Sequence, residues 1–162
     1  REAVKWYRLA AEQGLASAQY NLGFMYGEGS GVSQDHREAV KWYRLSAKQG
    51  DRSAQFNLDH MYENGDGLSQ NYKEAVNWYT LSAEQGYANA QRNLGGMYLR
   101  GFGLVRDILM AHVWYNIAAA EGHEEAAELR GIIAEQMSSK DISKAQAIAA
   151  RCMETNYKDC GY

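Results

Sequence analysis

Histidines, cysteines and a recurring glutamate are the side chains of this sequence best suited to catalysis or metal binding. The four histidines are His36, His60, His112 and His123. None lies at a metal-ligand spacing, such as His-x-x-x-His, from another histidine or from a cysteine. His112 stands out because it replaces a valine found at three equivalent positions: Val4, Val40 and Val76. We expect surface or packed histidines and predict no metal site.

The glutamates and the glycine-rich segments form no catalytic pattern either. Glu2, Glu38 and Glu74 recur every 36 residues, and such repeat-equivalent positions lie too far apart for a paired-carboxylate site. Three Gly-x-Gly segments follow predicted helices rather than strands and lack the downstream Gly-Lys-Ser/Thr of a phosphate-binding loop. The sequence also lacks the Gly-x-Ser-x-Gly motif of a nucleophilic serine. We predict that the protein is not an enzyme and has no cofactor.

The two cysteines, Cys152 and Cys160, lie eight residues apart near the end of the chain. On one continuous helix they would be about 12 Å apart along the axis, which is too far for a disulfide. If the chain turns back after Met153, a short bridge would tie the tail to the preceding helix. The sequence leaves both outcomes open, and we expect a bridge only in an exported protein.

A repeat of 36 residues provides the elements that would position any site. The only four tryptophans occur at this spacing: Trp6, Trp42, Trp78 and Trp114. A tyrosine follows each one directly, an alanine precedes it by three residues, and a glycine follows it by eight. Self-similarity at a fixed period indicates a solenoid, in which each unit contacts its neighbours. Most aromatic residues fall at repeated positions, so we expect them to pack in the core.

Each repeat has the pattern of two helices. In the first segment, Ala3, Trp6, Tyr7 and Ala10 share one face at helical spacing. A second segment of the same periodicity follows a very short turn, so the two helices must form an antiparallel hairpin. A nine-residue glycine-rich link follows, and its last residue is suited to cap the next helix. These cap residues are Asp35, Asn71 and Asp107.

A glycine within the second helix predicts a close approach of two helices. It occurs as Gly23, Gly95 and Gly131. Asp59 holds this position in the second repeat, so it either turns to solvent or lowers the stability there. After the fourth repeat, residues 140–153 have the pattern of a last helix, with Ser138 and Asp141 as a capping box. We predict that this helix caps the solenoid.

The repeated motifs are Glu-Ala-Val-x-Trp-Tyr, Ala-x-x-Gly, Ala-x-x-Asn-Leu-Gly-x-Met-Tyr and Gly-x-Gly. In register they resemble the Sel1-like repeat family, a relative of the tetratricopeptide repeat, over residues 1 to about 136. The resemblance implies an all-α fold: a right-handed α/α superhelical solenoid of four antiparallel helix hairpins plus a C-terminal capping helix. It also implies protein binding without catalytic residues. We place the repeats at about 1–34, 35–70, 71–106 and 107–136, and the capping helix and polar tail at 137–162.

Composition excludes several classes of partner. With 17 basic and 20 acidic residues the net charge is −3, so we expect no nucleic-acid binding. No apolar run reaches the roughly 20 residues that span a bilayer.

The sequence begins with Arg1 in the middle of a repeat, so we expect a fragment or a processed form. The resemblance slightly favours an exported or periplasmic bacterial protein over a cytoplasmic one, and we expect a monomer.

The face of each first helix that lies opposite the tryptophan is the most informative surface pattern. It changes from basic to polar to apolar along the repeats. Its residues are Arg1, Lys5, Arg8, Arg37, Lys41, Arg44, Lys73, Asn77, Thr80, Leu109, Val113 and Asn116. The resemblance places first helices on the concave side, where solenoids bind partners. We predict a protein-interaction scaffold that binds a protein or peptide there, with acidic residues at the first two repeats and an apolar anchor near Leu109 and Val113.

Two alternatives to this binding face stay open. In the first, the face is an ordinary solvated charged surface, and residues 140–153 cover its apolar end. In the second, the chain is a structural segment of a longer repeat array whose binding site lies elsewhere.

Overall fold

The computed structural model describes residues 2–161, which contain nine α-helices and no β-strand. The helices are α1 (Glu2–Glu12), α2 (Ala16–Glu28), α3 (His36–Lys48), α4 (Arg52–Asn64), α5 (Tyr72–Ala83), α6 (Ala88–Arg100), α7 (Ile108–Ala120), α8 (Glu124–Ala134) and α9 (Ser139–Glu154). The chain divides into two compact units, Arg1–Trp78 and Tyr79–Tyr162. No helix in the described range is long and apolar enough to cross a membrane. The all-α helix-hairpin fold expected from the sequence is confirmed.

Side-chain caps start the helices where the sequence predicts. Oδ1 of Asp35 accepts the backbone N–H groups two and three residues later at 3.0 and 3.1 Å. Asn71 and Asp107 make the same pair of contacts at the starts of α5 and α7. The hydroxyl oxygen of Ser138 accepts the N–H of Asp141 at 3.1 Å. These contacts satisfy N–H groups that lack a partner within the helix, so all four predicted caps are confirmed.

The glycine-rich links have one conformation in three copies. Gly29, Gly65 and Gly101 end their helices in the left-handed region, with φ of 71°, 82° and 71°, a conformation that costs glycine little. The N–H of each following cap residue bonds to a tyrosine carbonyl in the helix before the link, at 2.8 or 2.9 Å. Val32 and Leu68 of the links pack against apolar clusters of the unit Arg1–Trp78.

A glutamine that the sequence analysis did not single out closes three of the short turns. Gln19, Gln55 and Gln91 are buried. Nε2 of each donates to the backbone carbonyl eight residues earlier, at 3.1, 3.2 and 3.1 Å. That carbonyl lies in the last turn of the preceding helix and also accepts the N–H of the glycine three residues later. The sequence contains a signal for this contact, because an Ala-Gln pair recurs there every 36 residues.

Aromatic residues of α3 pack against the preceding hairpin in the unit Arg1–Trp78. Trp42 is buried in an apolar cluster with Val4 of α1 and Leu22 of α2. Tyr43 is also buried, and its ring centroid lies 5.8 Å from that of Tyr20 in α2. α3 therefore has helical neighbours on two sides, α2 before it and α4 after it.

Trp6 does not follow this pattern. It is 71% exposed, whereas its repeat equivalents Trp42 and Trp114 are 7% and 0% exposed. Tyr7 and Leu9 on the same helix are exposed as well. In the described part of the chain no helix precedes α1, so nothing covers α1 as α2 covers α3. The expected burial of the aromatic residues is confirmed for Trp42 and Trp114 and is wrong for Trp6.

Two glycines make room for a tyrosine ring of the next helix. A Cβ atom at Gly23 would lie 2.8 Å from Cδ1 of Tyr43, and one at Gly95 would lie 2.8 Å from Cδ1 of Tyr115. The predicted close approach is confirmed at both positions. It is wrong at Gly131, where a Cβ atom would meet no described atom within 4 Å.

Asp59 holds the equivalent position in α4. The sequence left open whether it turns to solvent or lowers the stability. Its side chain is fully buried, so the first outcome is wrong. Burial of a carboxylate costs free energy unless its contacts compensate, and a cost to stability at this position stays a prediction.

α7 is the central helix of the unit Tyr79–Tyr162 and packs against α6, α8 and α9. Val113, Trp114 and Ile117 of α7 are fully buried. Ala145 and Ala149 of α9 are fully buried as well. The C-terminal helix therefore covers the last hairpin, as expected of a cap.

The tail after α9 is tied back by a disulfide between Cys152 and Cys160, whose Cα atoms lie 4.4 Å apart. Asn156 and Tyr157 reverse the chain with φ of 53° and 63°. The Tyr157 hydroxyl donates to the carboxylate of Glu121 at 2.8 Å. Of the two outcomes left open by the sequence, the structure shows the one in which the chain turns back.

The pair Gly95→Ala and Gly131→Ala tests the need for glycine at the helix contact. Because a Cβ atom at Gly95 would overlap the Tyr115 ring, we expect the first change to lower the free energy of unfolding by about 1–3 kcal/mol. The second meets open space and should raise it by up to about 1 kcal/mol through helix propensity. Urea unfolding followed by circular dichroism measures both. Equal destabilisation of the two variants would contradict the tyrosine–glycine contact.

Candidate functional site

The candidate binding surface in the unit Arg1–Trp78 consists of polar positions on α1, α3 and the start of α5, and we call it the basic face. Its described members are Lys5, Arg8, Arg37, Lys41, Arg44, Lys73 and Asn77, and all of them are exposed. Arg1 belongs to the predicted set but lies outside the described residues. Exposure leaves these side chains accessible to a partner.

Tyrosines of the second helices orient two arginines of the basic face. A guanidinium N–H of Arg8 donates to the hydroxyl of Tyr26. Nη2 of Arg44 donates to the hydroxyl of Tyr62 at 2.9 Å. The same contact thus occurs twice, at equivalent positions of two repeats. A hydroxyl group orients each guanidinium group without forming an ion pair with it, so the remaining N–H groups can still meet a partner's carboxylate.

Acidic side chains lie between these cations. Nζ of Lys41 is 3.3 Å from both carboxylate oxygens of Glu38 and 5.0 Å from the ring centroid of Trp42. Nε1 of Trp42 donates to the same carboxylate at 3.2 Å. A shallow cavity of about 300 Å³ at this point is lined by Arg8, Glu12, Tyr26, Glu38, Lys41 and Trp42. The basic face is therefore a surface of mixed charge.

The remaining predicted residues belong to the unit Tyr79–Tyr162 and are less accessible. Thr80 and Leu109 are half-buried, and Val113 is fully buried. Oδ1 of Asn116 accepts from Nη1 of Arg130 at 2.6 Å. Because α9 packs against α7, Val113 offers no surface to a partner. The prediction of an apolar anchor is thus wrong at Val113. The structure agrees instead with the alternative in which the C-terminal helix covers the apolar end of the face.

Three of the four histidines are placed at or near helix ends, and the described residues form no metal-binding group with them. Within residues 2–161, no group of three or more His, Cys, Asp or Glu could hold a metal ion. Nδ1 of His123 accepts the N–H of Ala126 at 3.3 Å and caps α8. Nδ1 of His60 lies 2.7 Å from the side-chain amide of Asn64. His36 is exposed at the start of α3.

His112 is buried, at 2% exposure. It and Arg130 hold positions occupied in the second repeat by Val40 and Leu58, so both members of an apolar pair are replaced together. Burial lowers the pKa of His112, and the positive charge of Arg130 lowers it further. Both effects disfavour the imidazolium form, so His112 is a packed neutral side chain rather than an exposed acid or base.

The family model of the Sel1 repeat matches residues 1–15, 16–51, 52–87 and 88–123. This chain belongs to the Sel1 repeat family. The matched segments have the period of the tryptophans, and the resemblance drawn from the motifs is confirmed. Sel1 repeats are in general scaffolds for protein–protein interaction.

Two solved structures of bacterial proteins are similar to this Sel1 repeat chain. One is a protective antigen of uropathogenic Escherichia coli strains with an SLR fold; it is 27% identical with a TM-score of 0.74, over 97% of this chain and 42% of that one. The other is a Sel1 repeat protein from Oxalobacter formigenes; it is 34% identical with a TM-score of 0.73, over 81% of this chain and 98% of that one. This chain therefore spans less than half of the Escherichia coli protein. None of the curated proteins matches it.

The Sel1 repeats begin one helix later than the hairpins defined by the tryptophans. The three complete matched segments open with α2, α4 and α6 and close with α3, α5 and α7. The first helices of the family's units are therefore α2, α4 and α6. Since the basic face lies on α1, α3 and α5, the family resemblance no longer places it on the concave side. The basic face remains a candidate binding surface because its side chains are exposed and carry charge.

The neutral, buried state of His112 predicts a pH-dependent stability. Because folding lowers its pKa below 6.5, the unfolded chain takes up a proton below that pH while the folded protein does not. The free energy of unfolding should therefore fall as the pH drops through 6.5, until the lower folded pKa is reached. The measurement is the free energy of unfolding in urea at about pH 7.5 and at about pH 5.5. Between these two pH values it should decrease less for His112→Gln than for the unchanged protein. Equal losses would assign the pH dependence to other groups.

Proposed function

We propose that this Sel1 repeat chain is a non-enzymatic scaffold that binds an acidic segment of a partner protein on the basic face. The observation that supports the proposal is the set of exposed cations, among which Arg8 and Arg44 are oriented by tyrosine hydroxyls. Arginine donates two parallel hydrogen bonds to one carboxylate. Guanidinium groups held in a fixed direction are therefore well suited to aspartate or glutamate side chains.

Neighbouring acids would make such binding selective. The Lys41–Glu38 ion pair is exposed to solvent and such pairs are weak, so Lys41 can exchange Glu38 for a partner's carboxylate. Glu12 and Glu38 repel carboxylates placed elsewhere on the surface. Exposed charges act chiefly on association rate and orientation, and salt screens them. We expect binding that weakens as the ionic strength rises.

The titratable groups favour a scaffold over an enzyme. The side chains with shifted pKa values are Tyr43, Tyr98, Tyr115, Tyr157 and His112, and burial is the largest cause for each. Tyr43 and Tyr115 hold the same core position in two repeats. Catalytic sites gather such shifts in one cleft, whereas the shifts of Tyr43 and Tyr115 arise from the packing that the two repeats share.

A second candidate function is that of a structural segment in a longer repeat array, and the exposed side of α1 favours it. Trp6 and Tyr7 present ring surfaces of the kind that α2 covers on α3. A helix like α2, supplied by another repeat, would bury them. In that case the basic face is a solvated surface and the partner binds elsewhere.

Charge reversal tests the basic face. We expect Lys41→Glu/Arg44→Glu to weaken the binding of a fluorescein-labelled, glutamate-rich peptide roughly tenfold at low salt, because two attractive charges become repulsive. The salt dependence of the affinity should decrease as well. Fluorescence anisotropy titrations at low and high salt measure both quantities.

The matched control is Lys140→Glu/Lys144→Glu, which reverses two exposed lysines of α9. It changes the net charge by the same amount at residues outside the basic face and should leave the affinity nearly unchanged. An equal loss in both variants would show a response to net charge alone. Unchanged affinity in the Lys41/Arg44 variant would refute the basic face and favour the structural segment.

A further inference from the structure

A cavity of about 320 Å³ in the unit Arg1–Trp78 has three aromatic walls. They are Phe24 of α2, Tyr43 of α3 and Phe56 of α4. Tyr43 is buried and Phe56 is half-buried, whereas Phe24 is 46% exposed. An exposed ring at the mouth of a cavity leaves apolar surface in contact with water, which is a common feature of binding sites.

Two carboxylates lie at the same cavity. Glu28 and Asp66 line it, and both are exposed. Among the described residues neither forms an ion pair. Burial raises the pKa of Tyr43, a hydrogen bond with Asn57 opposes that rise, and electrostatic interactions with Tyr20 and Glu28 add to it. The Glu28 carboxylate is thus close enough to act on the aromatic floor of the cavity.

Glycines of the two links shape the cavity. A Cβ atom at Gly67 would lie 2.5 Å from the carbonyl of His36, so the backbone of the second link rests directly on the start of α3. This contact brings the neighbouring Asp66 to the rim. A Cβ atom at Gly27 would lie 3.8 Å from the Tyr43 hydroxyl, and without a side chain there the space above the ring stays open.

Comparison within the chain shows that the fold does not require these cavity residues. In the unit Tyr79–Tyr162, Tyr115 packs on Gly95 as Tyr43 packs on Gly23. The positions of Phe24, Glu28 and Phe56 are held there by Gly96, Arg100 and Glu128. The same helix contact therefore forms without the two phenylalanines and without the carboxylate. Helix packing therefore explains why a tyrosine is present, but it does not explain the two phenylalanines and the carboxylate that surround the cavity.

We propose that this cavity binds an arginine side chain of a partner protein. A guanidinium group is planar and cationic, stacks on aromatic faces and donates in its plane to carboxylates. The phenylalanine and tyrosine rings supply the stacking surfaces, and Glu28 and Asp66 supply the acceptors. At about 320 Å³ the cavity is at the small end of ligand pockets, which suits one side chain.

This site goes beyond the basic face and does not depend on it. His36 and Tyr43 line the cavity and, seven residues apart, share one side of α3. Around the helix axis, Arg44 lies roughly 80° to 100° and Lys41 roughly 140° to 160° from these two residues. A partner's carboxylates and its arginine would therefore meet different surfaces, and reversal of Lys41 and Arg44 leaves the cavity residues unchanged.

A titration of the ¹⁵N-labelled protein with N-acetyl-arginine N-methylamide tests the site by NMR. We expect saturable amide shifts confined to residues 24–28, 36, 43, 56–61 and 65–67, which line the cavity or adjoin its lining. The citrulline analogue has the same shape without the charge and should bind at least about tenfold more weakly. Equal binding of the two compounds, or shifts located elsewhere, would overturn the proposal.

Substitutions at exposed cavity residues sharpen the test. Phe24→Ala and Glu28→Gln should each weaken arginine binding about threefold to tenfold, because one removes a stacking surface and the other a charged acceptor. Asp66→Asn in the link provides a variant outside the helices, with the same expected loss. The matched control is Trp6→Ala, which removes an exposed ring that does not line the cavity and should leave the affinity unchanged. Unchanged affinity in the three cavity variants would also overturn the proposal.

Discussion

The packing of a tyrosine ring onto a glycine of the preceding helix is the contact on which this Sel1 repeat structure depends. Tyr43 on Gly23 and Tyr115 on Gly95 show it with the same 2.8 Å approach to a virtual Cβ atom. It fixes the rotation of α3 and α7 about their axes, and so decides which side of each helix is buried. The direction of the cations that α3 contributes to the basic face, and the place of Tyr43 in the arginine cavity, both follow from that rotation of α3.

Repetition made the local structure predictable. Several copies in one chain separate positions that packing holds constant from positions that vary, and this separation identified the caps at Asp35, Asn71 and Asp107. Local chemistry determines these features, since an Asx side chain reaches its own helix start whatever surrounds it. The buried glutamine at Gln19 and Gln55 carried the same signal, and its role became clear only once the carbonyl it meets was located.

Burial was harder to predict from the sequence. Periodicity shows which face of a helix is apolar, but it does not show whether a neighbouring helix packs against that face. Trp6 and Trp42 have the same sequence context, yet one is exposed and the other buried. Val113 had the pattern of a surface anchor and is covered, because α9 packs against α7. The arginine cavity was not predicted at all. Its residues come from three helices and a link, so no single segment carries a signal for it.

The comparison of Trp42→Ala with Trp6→Ala tests most directly whether cover by the preceding helices holds each repeat in place. The measured quantity is the free energy of unfolding in urea. Because Trp42 is enclosed by α1 and α2 while Trp6 is 71% exposed, we expect losses of about 3–5 kcal/mol for Trp42→Ala and within about 0.5 kcal/mol for Trp6→Ala. Losses of similar size at both positions would contradict the account.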